Sequence, residues 1–471
     1  MKKRLIALLL AALLTGCLSA CGGKACTAAA TVEGALFGGK ADDRIAVTMT
    51  FDRDWLTKRS NERYNPELAE FCALLSADSY FRAKDLDKKS QNRVLTDGAD
   101  PAAYEPTSLL SAAGFTGTEH FESYKVQTDP EDSNDSVTLN IGHMTADGKY
   151  DVYAVVIRGC FSAGEWRSAF DPGCSDTAYE TLTGAHPDWT NKAHHKGADV
   201  AANRARAYIE DFMARTGDPA LPDRLLLTGH SRGGGIANIL GAYFEKKEGV
   251  TSYTYTFNAM AVTQAEDAKS YRTVFNVFDS GDLFTDIFPF MAEGFVRYGT
   301  DKALAAGSSK KLLKALAGLK GRDDYACVSA EAAERYRDLF AEHLPDREAL
   351  CGMAMLTRSF GTKEEAEAAR TRTLSLIGAE AGLGLESLCR VGEVTEQEGR
   401  FGFAFEYCGA ALLQTYAMIL AYGEAAGAGA AELFAGNEAV CEIAALLQEN
   451  AAGLTGGHLI VNSYVIAGQM K

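Results

Sequence analysis

The sequence predicts an α/β fold: a sheet flanked by helices, with a large helical insertion before its last segment. Three observations predict it. Short strand-like runs alternate with helical stretches over residues 44–290, the pattern of an α/β sheet. From about 291 to 453 the chain turns Ala-, Leu- and Glu-rich with almost no β-branched runs, and reads as several helices. Between them, LLLTGHSRGGGIANILGAYF at Leu225–Phe244 reads as a strand, a glycine-tight turn and a helix in direct succession.

Composition supports a globular chain. Of 471 residues, 47% are hydrophobic and 23% charged, enough to bury a large core. The formal net charge of −16 argues against nucleic acid, whose phosphates need a concentrated basic surface, and gives no general attraction to anionic lipid.

The elements follow in order. MKKR and the apolar LIALLLAALL have the form of a secretory leader, too short to span a membrane. LSAC at Leu18–Cys21 resembles the lipobox of bacterial lipoproteins, which implies cleavage after residue 20, a lipid on Cys21 and an exported, membrane-anchored protein. LTGC, ending at Cys17, is a second candidate. Of the 11 cysteines, an odd number would then remain unmodified, so at least one thiol is unpaired within a monomer, and no spacing suggests a metal. Residues 21–43 are Ala-, Gly- and Thr-rich and read as a tether.

Arg44–Phe51 alternates as a strand, and Pro66–Tyr80 reads as a helix with Leu68, Phe71, Cys72 and Leu75 on one face. Val137–His143 and Tyr150–Gly159 form a hairpin around TADGK. Asp199–Met213 is an amphipathic helix; Leu225–Thr228, Ser252–Phe257 and Thr273–Phe278 are strands. Ala410–Tyr422 is too short to cross a bilayer and reads as a buried helix.

The chemistry starts at Gly229–Gly233. GHSRG fits the nucleophile elbow G-x-S-x-G, where a serine on a strained turn leaves no room for side chains two residues either way. The following helix N-terminus carries partial positive charge, and the Arg232 N–H points where an oxyanion would form. Serine needs a base and the base needs an orienting acid, in the chain order Ser, Asp or Glu, His. Beyond Ser231 the histidines are His343, read as a helix-end surface residue, and His458, in a glycine-preceded loop before a terminal apolar stretch; His458 is the expected base. For the acid, VFNVFDSGDLFTDIFP offers Asp279, Asp282 and Asp286, and the pattern alone does not separate Asp279 from Asp282.

Several of these stretches together resemble the class 3 (fungal-type) lipases of the α/β-hydrolase superfamily. TGHSRGGGIA resembles that family's TGHSLGGALA, TFNAMAV at Thr256–Val262 its T-F-G-x-P-x-V strand, and VVIRGC at Val155–Cys160 its F-R-G-T/S strand end. HKGA at His195–Ala198 occupies the place of H-x-G-F, DLFTDIFP at Asp282–Pro289 resembles the aspartate segment, and HLIVNSY at His458–Tyr464 the histidine segment. The resemblance spans about residues 64–289 and the last 15 or so.

It implies an α/β-hydrolase fold over 44–290 and 454–471. The helical segment 291–453 departs from the family, whose acid and histidine lie much closer together, and reads as a cap folded over the active-site end of the sheet. The resemblance also implies a carboxylic ester hydrolase of the lipase or esterase kind, needing no cofactor or metal and acting on acyl or lipid esters. Carried over by residue, Ser231 is the nucleophile, His458 the base, Asp282 the acid with Asp279 as alternative, and Arg232 and Cys160 line the oxyanion hole. Cys160 stands where the family has Thr or Ser, so its backbone N–H is the expected donor. Two other readings keep the same residues: acyl transfer or a non-lipid ester on the same triad, or an inactive binding lipoprotein. The leucine stripe in Ser308–Arg322 reads as a surface helix packed on the cap, or as one dipping into lipid. His194, His195 and Trp166 read as packing residues.

Overall fold

The computed structural model of the chain describes residues 29–37, 44–80, 92–96, 108–123, 137–160, 165, 169, 174–175, 194–280, 282, 285, 294–304, 360–377, 389–403, 405–407, 458 and 460–470. Strands β1 (Ala29–Phe37) and β2 (Arg44–Asp52) pair antiparallel as a small sheet of their own. Helix α1 (Pro66–Asp78) follows. The side chain of Asn65 caps it by accepting the Glu67 and Leu68 amides at 3.2 and 3.3 Å, with Pro66 in the first turn.

The centre is an eight-stranded sheet whose spatial order is the chain order. It runs β3 (Asn92–Thr96), β4 (Thr116–Ser123), β5 (Val137–Ala146), β6 (Tyr150–Ile157), β7 (Asp223–His230), β8 (Val250–Phe257), β9 (Val274–Asp279) and β10 (Thr300–Leu304). The first four are mutually antiparallel; from β6 onward every pairing is parallel, so the sheet is mixed with a parallel half. The β5–β6 hairpin turns at Asp147 and Gly148, both with positive φ, which matches the right-handed strand twist.

Alternation along the strands divides two apolar layers. Tyr153, Val155 and Ile157 of β6, with Leu225 and Leu227 of β7, pack under α2 (Lys196–Thr216) and α3 (Arg232–Lys246). Val152, Ala154, Val156 and Leu226 face the opposite layer, made of β1, β2, α1 and the last helix, α5 (Ile460–Gln469). Burial on both faces is why these strands read as continuous apolar runs. Tyr64, just before α1, donates its hydroxyl to the Ala467 carbonyl at 2.9 Å and so ties the two ends of this layer together. That docking sets α5 against α1 and beside β9, within the layer that covers this face of the sheet. Among the described residues no helix is long and apolar enough to cross a membrane.

Four features depart from the sequence reading. Ala29–Phe37, expected within the tether, is strand β1: Val32 and Leu36 point inward on alternate positions and are buried. Gly34 between them lies against α1, where an added Cβ would sit 3.0 Å from Leu74. Only the pairing with β2 makes this Ala- and Gly-rich run a strand. Second, β3 and β4 extend the sheet on the antiparallel side. The run TGTEHFES hid its periodicity because Glu119, His120 and Glu122 are buried polar residues, with His120 held to Asn140 at 2.6 Å.

Third, the main sheet continues to Leu304, past the expected boundary at 290: β10 pairs parallel with β9, and Val296 bridges to Thr263. TDKAL is a mostly exposed edge strand with no apolar pattern to announce it. Fourth, the segment 291–453 is not purely helical. Beside α4 (Lys363–Ile377) it holds two antiparallel pairs, Cys389–Val391 with Phe405–Tyr407 and Thr395–Gln397 with Arg400–Gly402. The second turns at Glu398 and Gly399, both at positive φ. Ser308–Arg322, His343 and Ala410–Tyr422 lie outside the described residues, as do Cys17, Cys21, Trp166 and Asp286.

Candidate active site

The site begins where β7 hands over to α3. Ser231 sits between them at φ 58° and ψ −127°, a conformation L side chains rarely take. The flanking glycines are sterically required. A Cβ on Gly229 would lie 2.4 Å from the Gly233 carbonyl oxygen, and one on Gly233 would lie 2.4 Å from the Ile157 carbonyl oxygen. Two backbone bonds hold the turn: the Ser231 amide donates to Phe257 O of β8 at 2.9 Å, and the Gly235 amide donates to Ser231 O at 3.0 Å, opening α3. Because the strain lies in the backbone, Ser231→Gly is expected to melt at a higher temperature than Ser231→Ala. The positive φ costs an L residue about 1–3 kcal/mol, while glycine's extra chain entropy returns only about 0.5–1 kcal/mol of that. Differential scanning calorimetry of the two variants checks it.

Past the end of β9 the chain turns, the Asp282 amide donating to the Asp279 carbonyl at 2.9 Å and Thr285 Oγ1 donating to the Asp282 carbonyl at 2.8 Å. The Asp282 side chain is buried and its Oδ2 lies 2.9 Å from Nδ1 of His458. Nε2 of the same ring lies 2.8 Å from Ser231 Oγ. A carboxylate can only accept, so the ring proton sits on Nδ1 and Nε2 is left to accept the serine proton. The structure thus brings Ser231, His458 and Asp282, the three residues that the family resemblance selects, into one hydrogen-bonded line. Asp279, the alternative acid, ends β9 and anchors that line's turn through its backbone carbonyl.

The two expected oxyanion donors both border the elbow. Arg232 opens α3, its side chain buried and turned to the Gly197 carbonyl at 3.5 Å. The end of β6 runs directly against the turn: a Cβ on Gly159 would lie 3.1 Å from Ser231 Cβ. Next to it, Cys160 is buried, and its Sγ donates to the Glu165 carbonyl at 3.5 Å. Burial pushes its thiol pKa well up, so it stays protonated. With the thiol engaged along its own loop, Cys160→Ala is expected to change kcat by less than about tenfold, against about 10²–10³ for a lost oxyanion donor. Steady-state kinetics on a soluble ester checks this.

Sequence reasoning missed three contributors. Arg158, buried before Gly159, pairs with Glu165 at 3.0 Å and holds the loop that carries Cys160. His230, the unspecified x of the elbow, places its Nε2 2.8 Å from the His458 carbonyl, and Tyr80 at the end of α1 places its hydroxyl 2.8 Å from His230 Nδ1. Burial, reinforced by the neighbouring His458, pushes the His230 pKa down to about 3. His230 lay inside the motif but its partners are far away in sequence, and nothing local marks Tyr80. His194 meanwhile binds Asp199 through Nδ1 and the Tyr298 hydroxyl through Nε2, each at 2.8 Å, a tie between the start of α2 and the approach to β10.

The fold and this line of residues define a class of arrangement: a serine–histidine–aspartate chain on a strand-to-helix elbow of a mixed α/β sheet. No protein-family model matches the chain, and no curated protein does. Among solved structures it is similar to a triacylglycerol lipase whose catalytic centre is a serine-protease triad, at 17% identity and TM-score 0.35, over 52% of this chain and 83% of that one. It is likewise similar to the Rhizomucor miehei triacylglyceride lipase, at 18% identity and TM-score 0.33, over 50% of this chain and 78% of that one. A lipase from Yarrowia lipolytica gives 19% identity and TM-score 0.29, over 41% and 69%.

Proposed function

We propose that this chain is a serine hydrolase of carboxylic esters, with Ser231 as nucleophile, His458 as general base and then acid, and Asp282 as its orienter. The observation that carries the reading is the unbroken pair of hydrogen bonds, Ser231 Oγ to His458 Nε2 at 2.8 Å and His458 Nδ1 to Asp282 Oδ2 at 2.9 Å, at a strained elbow. In the reaction, Ser231 Oγ attacks the ester carbonyl as its proton passes to Nε2. Charge developing on the carbonyl oxygen is met by the backbone N–H of Arg232, at the positive end of α3, and by that of Cys160, past the end of β6. His458 then protonates the leaving alcohol, and water, activated by the same ring, releases the acid.

The substrate class follows from the sequence motifs rather than from the geometry: acyl or lipid esters, reached past a cap formed by the segment inserted between Asp282 and His458. The leader and LSAC motif extend the proposal to an exported protein held on a membrane by a lipid on Cys21. The test is a fluorophosphonate probe on the folded chain, followed by an ester panel from short acyl chains to triacylglycerol and phospholipid. Labelling at Ser231 with hydrolysis of at least one class is expected; absence of both sinks the reading. Metabolic labelling with a fatty-acid analogue tests Cys21 separately.

A further inference from the structure

The hydrogen bonds beyond the Ser–His–Asp line reach further into the fold. His458 has both ring nitrogens engaged, and its main chain is held as well: its carbonyl oxygen lies 2.8 Å from His230 Nε2. A carbonyl can only accept, so His230 Nε2 must carry the proton. The other nitrogen, Nδ1, lies 2.8 Å from the Tyr80 hydroxyl, which then donates to it. Each link fixes the next. Tyr80 O–H occupies the Nδ1 lone pair, that sets the tautomer, and the tautomer aims an N–H at the residue carrying the base. The two imidazoles stand with centroids 5.0 Å apart at 47°, close enough for a charge on one to act on the other.

The surroundings are built for this. His230 is buried on the elbow itself, so it shares the rigid backbone that positions Ser231. Tyr80 fits only because residue 159 has no side chain: a Cβ there would lie 2.0 Å from the Tyr80 hydroxyl oxygen. The glycine of VVIRGC therefore serves the tyrosine as well as the turn. We propose that Tyr80 and His230 are positioning residues for the general base. Tyr80 O–H selects the His230 tautomer, and His230 Nε2–H pins the His458 backbone so that the ring keeps one nitrogen on Asp282 and the other on Ser231. A neutral His230 also leaves room for the positive charge that His458 takes up when it accepts the serine proton. This rests on the hydrolase reading above.

Full-length variants His230→Leu, His230→Gln and Tyr80→Phe test it, with kcat and KM on a soluble ester. Loss of the pin is expected to lower kcat about 10²-fold in His230→Leu, the scale of a misplaced catalytic group, with KM little changed. His230→Gln, whose amide N–H reaches the Nε2 position, is expected to recover most of it; Tyr80→Phe is expected to fall between wild type and His230→Leu. Wild-type kcat in His230→Leu, or equal losses in His230→Leu and His230→Gln, overturns the relay. Should the leucine variant not fold, ¹⁵N-histidine NMR of the wild type still decides: His230 is expected neutral with its proton on Nε2, and a proton on Nδ1 overturns it. A wild type that neither labels with fluorophosphonate nor hydrolyses an ester sinks the hydrolase reading itself, whereas an active wild type with an unimpaired His230→Leu sinks only the relay.

Discussion

Ser231→Ala is expected to hydrolyse esters about 10⁶-fold more slowly than the wild type, while folding as well as it does. The size of the loss follows from what the triad does as a unit: removing the nucleophile costs about as much as removing all its partners. The backbone of the elbow does not depend on the hydroxyl. Its turn is held by the Ser231 amide on Phe257 and the Gly235 amide on the Ser231 carbonyl, both of which alanine keeps. The comparison is kcat on a chromogenic ester, with thermal melting of both proteins to show that the fold is intact. Undiminished turnover in the alanine variant would remove Ser231 from the mechanism.

The second large effect distinguishes the two aspartates. Asp282→Asn is expected to lower kcat about 10⁴-fold, as replacement of a triad acid does when the amide turns the imidazole to the wrong tautomer. The reason lies in the donor inventory. An asparagine side chain can present its N–H₂ to His458 Nδ1, which then accepts and leaves the proton on Nε2, where it meets the serine oxygen and blocks proton transfer. Asp279→Asn keeps the backbone carbonyl on which the Asp282 amide rests, so its loss is expected to be far smaller. Measuring kcat for the two asparagine variants side by side separates them; a larger loss at residue 279 would exchange their roles.

Much of this was legible because the elbow is local. Strand, glycine, serine, glycine and helix lie within Leu225–Phe244, and the sterics that require Gly229 and Gly233 act between residues a few positions apart. Asp282 and His458 were legible for a different reason, since chain order and flanking motifs restrict the candidates even though the contacts are distant. What escaped depends on partners the sequence does not announce. Glu119, His120 and Glu122 are buried, so the strand that carries them shows no alternation. The edge strand Thr300–Leu304 is recognised only by the strand it pairs with. His230 and Tyr80 are 150 positions apart, and only the docking of α1 beside the elbow makes them neighbours. Composition misled at Ala29–Phe37, where small residues suggested a tether but close packing of Leu74 on Gly34 needs smallness.

The left-handed backbone at Ser231 has a bearing on lineage as well as on mechanism. At φ 58° and ψ −127° glycine is the residue of least resistance, and a single base change turns an AGY serine codon into a glycine codon. A scaffold kept only for binding or for structure would relieve the backbone strain by drifting to glycine there. Serine at that position is a burden that neutral drift tends to shed and that purifying selection for chemistry retains. Sequencing this locus across strains gives the corresponding expectation: the serine persists wherever Asp282 and His458 persist, and decays to glycine together with them.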